Sequence, residues 1–216
     1  IRDKLVTGVQ TCALPISRDP SKAKFPSGVT PVTGDMLDVE SMRKALAGVS
    51  TLFLLNAVSA QELTEAVLTL NLAREAGVAR VVYFSVFNGD SFTNVPHFTS
   101  KHSVERTIAQ LGLPATVLRP NCFMQNDAIF FKDALLGPGF YPFPIGDKGV
   151  SMVDVRDIAE IAASALLQGD RAQKSLPSEV INLVGPDALT GTGIATIWSK
   201  LLNKAVKYTG SDTARS

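Results

Sequence analysis

The sequence predicts a doubly wound α/β fold: a parallel sheet that lacks its native first βα unit, with a small further part toward the C-terminal end. Three observations carry this. Short apolar runs of strand length alternate with amphipathic helical stretches, the pattern of βαβ units joined by right-handed crossovers. Helical stretches close on glycines, at Gly48, Gly77 and Gly112. Near the N-terminus, Leu5-Val6-Thr7-Gly8 imitates the end of a first strand, but no glycine-rich turn follows it.

The elements follow in order. Gly28 to Val32 is short and β-rich and ends at a Thr33-Gly34-Asp35 turn. Asp38 is placed to cap a helix over Val39–Ala47, with Glu40 in the first turn, where the helix dipole favours a negative charge. Thr51–Leu55 is a continuous apolar run, as expected of a strand buried on both faces of a parallel sheet. A long helix over Gln61–Ala76 would turn Leu63, Val67, Leu70 and Ala73 inward. Arg80–Ser85 (RVVYFS) is a second buried strand, Pro96 opens a helix to Gln110, and Ala115–Leu118 is a third strand leading into Arg119-Pro120-Asn121. Asp127–Leu136 reads as helix, then Gly137–Pro144 as a Gly/Pro/aromatic loop. Val150–Asp154 is strand-like. Val155–Leu167 is a helix with Ile158, Ile161, Ala162 and Ala165 inward. Val180–Val184 and Gly193–Leu202 give a last strand and helix, and Lys207-Tyr208 leads out with no closing element.

Composition bounds the function. In 216 residues, 45% are apolar and 19% charged, so a packed core is expected rather than disorder. Lys plus Arg number 21 against 20 Asp plus Glu, a balance with no electrostatic footprint for nucleic acid or an anionic membrane. No apolar run is long enough to span a bilayer, and nothing at the N-terminus reads as a secretion signal. Cys12 and Cys122 form neither a metal spacing nor a disulfide framework, so a reduced, cytoplasmic protein without a metal is expected. Val6 to Ile16 (VTGVQTCALPI) matches the in-frame translation of a sequencing-library adapter over its whole length. Residues 1–17 are therefore read as non-native, residues 18–208 as the folded domain, and residues 209–216 as a truncated tail.

The arrangement resembles the NmrA-like group of atypical short-chain dehydrogenases/reductases. The residues that carry the likeness are Arg18-Asp19-Pro20, Gly34-Asp35, the Gly77 to Ser85 strand entry, and Lys101 with Glu105. Further along they are Gly112 to Pro120, Met124 with Asn126, Val153 to Ala159, and Gly185-Pro186. The likeness implies a Rossmann-type NAD(P)-binding sheet over about 18–120 and a mixed substrate part over 121–208. It also implies that the missing portion is the first strand, its glycine turn and helix, and most of the second strand.

From it follow the site expectations. Arg18, just past the second strand, would fork onto a 2′-phosphate, favouring NADP(H) over NAD(H); the plainer reading is a surface arginine in a turn. Asp35 and Met36 would meet the adenine edge, although an Asp there also commonly bonds its own backbone. Asn56-Ala57 has the same placement, as does Ser85-Val86 one strand on. Lys101 would hold the nicotinamide ribose. Four residues before it, ordinary short-chain dehydrogenases carry a proton-donating Tyr; this chain has His97, giving H-x-x-x-K. His97 is thus a candidate proton donor or a first-turn polar residue. Pro120, Asn121 and Phe123 would approach the nicotinamide, under a lid drawn from Phe130-Phe131 and Phe140–Pro144. Asp154 and Asp157 resemble a buried family Asp, with helix capping the simpler role, and Cys122 reads as a structural thiol.

Two functions fit these residues. One is an NADPH-dependent reductase of a small carbonyl, quinone or enone. The other is a non-catalytic NADP(H)-sensing module that acts through a regulatory protein partner.

Overall fold

The structure is a computed structural model that describes residues 15–22, 24–26, 29–172 and 175–210. Strand β1 (Ile16–Ser17) runs parallel to β2 (Val32–Thr33), with Ile16 opposite Val32. Most of the adapter-like segment lies outside the described residues. Of the strand expected over Gly28–Val32, Gly28 lies outside the described residues, and the described ladder is confined to Val32–Thr33, because Pro31 has no N–H to give it. Gly34 follows because β1 passes close: a Cβ there would stand 2.6 Å from Ile16 Cγ2.

Asp38 caps α1 (Val39–Leu46), its carboxylate accepting from the Glu40 and Ser41 amides. β3 (Thr51–Leu54), β4 (Arg80–Phe84), β5 (Ala115–Pro120) and β7 (Glu179–Leu183) form a four-stranded sheet in the order β3-β4-β5-β7. β3 pairs parallel to β4 and β4 parallel to β5. The two-faced burial expected of Thr51–Leu55 does not hold throughout. Leu52 and Leu54 are buried, whereas Phe53 is 38% and Leu55 49% exposed. β4 is buried from Arg80 to Tyr83 and half-buried at Phe84, and its first residue is an arginine. Arg80 is accommodated by donating to Thr116 Oγ1 at 2.6 Å and to the Leu176 carbonyl at 3.1 Å, which ties the approach to β7 onto the sheet.

Helix α2 (Glu62–Glu75) and helix α3 (Pro96–Gln110) join these strands, the latter with Pro96 in its first turn. The inward stripe of α2 differs from the expected one. Glu62, Ala66, Thr69, Leu70 and Ala73 are buried, Leu63 is exposed and Val67 is half-buried. The stripe begins on a carboxylate, which an apolar periodicity cannot register. The core collects Met42, Leu46, Leu54, Leu70, Val81, Tyr83, Val104 and Val117.

The chain divides into two compact units. The first takes the described residues up to Arg119 together with Ala159–Asn182; the second takes Pro120–Ile158 together with Leu183 onward. In the second, the helix expected over Asp127–Leu136 breaks at Phe131 into α4 (Asn126–Phe130) and α5 (Lys132–Leu136). β6 (Phe140–Tyr141) interrupts the expected loop. It pairs parallel with β8 (Lys207–Tyr208), a pairing that the sequence did not announce. Val150–Asp154 is not a strand. It makes two isolated bridges, Val150 to Leu189 and Val153 to Phe123. Helix α6 (Val155–Arg171) starts where expected and runs further, with Ile161 on its more exposed side at 36%. Helix α7 (Gly191–Leu202) starts two residues earlier than expected, where the Thr190 hydroxyl caps it by accepting the Gly193 amide, and its first residue is a glycine because the Tyr208 ring occupies the space a Cβ would need. Tyr141, Leu135, Met152, Ile194 and Val206 form this unit's core.

Candidate active site

The first unit carries its polar residues just past the carboxyl ends of parallel strands, where open α/β sheets bind ligands. Three side chains converge there. His97 and Lys101, four apart on α3, share one helical face. Glu62, the first residue of α2, meets them both, at a position where the helix dipole stabilises a carboxylate. Glu62 Oε1 is 3.0 Å from Lys101 Nζ, and Glu62 Oε2 is 2.7 Å from His97 Nδ1. Glu62 and Lys101 are each 2% exposed at the side chain, His97 26%.

Lys101 Nζ also donates to the carbonyl of Phe84, the last residue of β4, at 2.9 Å and stands 5.4 Å from the Tyr83 ring centre. Burial pulls the Lys101 ammonium below the ordinary lysine range, while the hydrogen bond and charge of Glu62 oppose that shift. Burial, reinforced by the charges of Glu62 and Glu105, drives the Tyr83 phenol upward, so it stays protonated. His97 Nε2 has no partner among the described residues.

A second carboxylate lies one turn along α3. Glu105 accepts from Ser85 Oγ and from both Nε and Nη2 of Arg119, the Nε bond being 3.0 Å. Ser85 is 2% exposed and its hydroxyl is committed to this bond. Glu105, through its hydrogen bond and charge, lifts the Arg119 guanidinium above its ordinary value.

The other expected residues are placed as follows. Arg18 is exposed in the turn after β1, with no partner among the described residues; its neighbour Asp19 is held by Ser21 and Lys22. Asp35 accepts the Leu37 amide at 3.0 Å through one oxygen, the self-bonded turn that the plainer reading foresaw. Met36 packs on the core, and Asn56 Nδ2 reaches its sulfur at 3.5 Å. Asn56 is 6% exposed, and its Oδ1 is buried without a hydrogen bond. Ala57 and Val86 follow β3 and β4. In the second unit, Asn121 Oδ1 accepts the amide of Cys122, the Asn121 amide donates to Leu183, Pro120 ends β5, and Phe123 bridges Val153. Burial pushes the Cys122 thiol upward, as expected of a structural cysteine. Asp154 caps the start of α6 through the Arg156 amide at 2.8 Å.

Sequence reading missed Glu62, since a Glu in a first helical turn reads as an ordinary dipole partner. It also missed Asp127, which is 5% exposed and accepts from Tyr141 Oη at 3.0 Å and Trp198 Nε1 at 2.8 Å.

The NmrA-like family matches residues 7–213, nearly the whole chain. The chain belongs to the NmrA-like family. The match begins within the segment read as adapter-derived, at residues outside those described. Among relatives, this NmrA-like chain is 26% identical to an NAD(P)H azoreductase of Xenophilus azovorans over 215 residues, covering 96% of the chain and 72% of the relative. It is also 26% identical to a (4-alkanoyl-5-oxo-2,5-dihydrofuran-3-yl)methyl phosphate reductase of Streptomyces griseus, covering 88% of the chain and 66% of the relative. Its structure is similar to that of an NADPH-dependent quinone oxidoreductase from Escherichia coli complexed with NADPH. That likeness has a TM-score of 0.84 at 25% identity and covers 96% of this chain and 72% of the other. A Citrobacter sp. triphenylmethane reductase complexed with NADP(H) shares the fold at TM-score 0.81 and 22% identity, covering 95% of this chain and 74% of the other. Among the described residues, no helix is long and apolar enough to cross a membrane.

Proposed function

We propose that this NmrA-like protein is an NADPH-dependent reductase of small electron-poor substrates, quinones and azo dyes foremost. The observation that carries the reading is the meeting of His97 and Lys101 on one buried carboxylate at the carboxyl end of β4. The relatives reported above are reductases, which weighs against a sensing module that works only through a protein partner.

The residues present suit a dinucleotide. The buried, unbonded Asn56 Oδ1 is an acceptor awaiting a donor, such as an amino or hydroxyl group. Arg18 offers a guanidinium with no partner among the described residues and suited to a 2′-phosphate, the basis for NADP(H) over NAD(H). Asp35, Met36, Asn56, Ala57, Ser85 and Val86 would line the cofactor from the strand ends, and Pro120, Asn121 and Phe123 are assigned to the nicotinamide side. Ser85 would contribute through its backbone, since its hydroxyl is held by Glu105.

When bound, the reduced nicotinamide supplies a hydride, that is two electrons and one hydrogen. The substrate's oxygen or nitrogen then needs a proton. Protonated His97 gives it up from Nε2, and water returns it. Lys101, kept cationic by Glu62, holds a hydroxyl acceptor and stabilises developing negative charge.

The test follows NADPH consumption with a benzoquinone or an azo dye. Steady turnover in the full chain that falls at least tenfold in both His97→Ala and Lys101→Met is expected. NADPH binding with no turnover on either substrate class would overturn the reductase assignment.

A further inference from the structure

Glu62 is the one member of the cluster that no sequence signal marks, and its placement says what it does. The carboxylate is 2% exposed and divides its oxygens between two partners on the next helix, Lys101 at 3.0 Å and His97 Nδ1 at 2.7 Å. A carboxylate has only acceptors to offer, so the Glu62–His97 contact requires the imidazole proton on Nδ1. Nε2 is then the unprotonated nitrogen of the neutral ring, on a side chain that keeps about a quarter of its surface exposed. We propose that Glu62 is the positioning residue of this site: one buried carboxylate fixes the tautomer of His97, leaving Nε2 to exchange protons, and keeps Lys101 cationic.

The consequence for a proton donor is direct. An imidazolium that releases its Nε2 proton is left as the tautomer Glu62 already holds, so the ring neither flips nor passes its second proton on. For Lys101, Glu62 opposes the loss of charge that burial favours. Among the described residues, the Tyr83 ring from β4, whose phenol stays neutral, lies beside Lys101, and Glu105 follows one turn along α3. Glu105 is spent on Arg119 and Ser85, so Glu62 is the only carboxylate that reaches Lys101 among the described residues. The inference rests on the reductase reading for its catalytic meaning but not for its geometry.

The experiment therefore starts with the cofactor-free full chain. The sequence contains only two histidines, His97 and His102, so nitrogen-15 NMR resolves each ring, with His97→Ala assigning the pair. Above the pH at which His97 is neutral, its Nδ1 is expected to carry the proton in wild type. An Nε2-protonated ring overturns the proposal, with no variant needed. In Glu62→Gln, the Lys101 side-chain carbon resonance is expected to titrate at least one pH unit lower than in wild type, and Glu62→Asp is expected to recover part of the shift. An unmoved titration overturns the claim on Lys101. In turnover, Glu62→Gln is expected to lower kcat at least tenfold while KM for the quinone stays within threefold. If His97→Ala keeps full kcat, the proton-donor reading fails while the resonance measurements still decide the role of Glu62.

Discussion

Removing the charge of Lys101 tests how the buried pair is balanced. Glu62 and Lys101 are both 2% exposed and 3.0 Å apart, so neither charge has bulk water to fall back on. Lys101→Met keeps length and volume but strands the carboxylate, with only His97 left beside it among the described residues. Breaking a buried pair from one side costs about 3–5 kcal/mol, whereas replacing both partners by well-packed neutral groups is often close to neutral. Lys101→Met and Glu62→Gln are each expected to cost about 3 kcal/mol. The double variant is expected to cost about 2 kcal/mol, far below the sum of the singles, giving a coupling of roughly 4 kcal/mol. Urea unfolding at neutral pH, read by far-UV circular dichroism, measures all four corners of the cycle. Single losses that add to within about 0.5 kcal/mol would refute a coupled buried pair. The pH dependence has a definite sign. The folded Lys101 releases its proton below the ordinary 10.5 of an unfolded lysine. Between those two values the unfolded chain holds more protons, so the Lys101 contribution makes stability rise with pH there, and Lys101→Met removes that rise.

Two further outcomes follow from single side chains. Asp127→Ala leaves the buried Tyr141 hydroxyl and the Trp198 indole N–H without their acceptor, at about 3–5 kcal/mol; a melting temperature within about 2 °C of wild type would contradict this. Asp154→Ala removes the cap on the Arg156 amide and is expected to cost about 1 kcal/mol at neutral pH by chemical denaturation. The hydrogen bonds from Arg156 hold the Asp154 carboxyl well below its ordinary 3.8, so its contribution is full above that value and the variant's deficit disappears only as pH falls well below it.

The elements most legible in the sequence were those written in local chemistry. Pro96 and Gly112 bracket α3, and Asp38 with Gly48 brackets α1, because caps and left-handed glycines act within a turn of themselves. Elements made by distant pairing were not legible. β8 is two residues long and exists because Phe140–Tyr141 lies alongside it, while Val150–Asp154 looks β-prone but finds partners only at single residues. The site divides the same way. His97 and Lys101 announced themselves by a one-turn spacing on one helix. Glu62 sits 35 residues before His97 on another helix and becomes meaningful only once α2 and α3 are packed. Asp35 shows the converse: its local turn bond was foreseeable from its neighbours alone.

Trp198 is the chain's only tryptophan, and it lies in the second unit with its indole N–H on the buried Asp127 carboxylate. Its fluorescence, excited at the red edge of protein absorption, is therefore a private reporter on that unit. Far-UV circular dichroism is weighted instead toward the sheet and long helices of the first. Superposed denaturation curves from the two signals would mean that the halves melt together. A gap with the Trp198 signal leading would show the second unit loosening while the first stays folded.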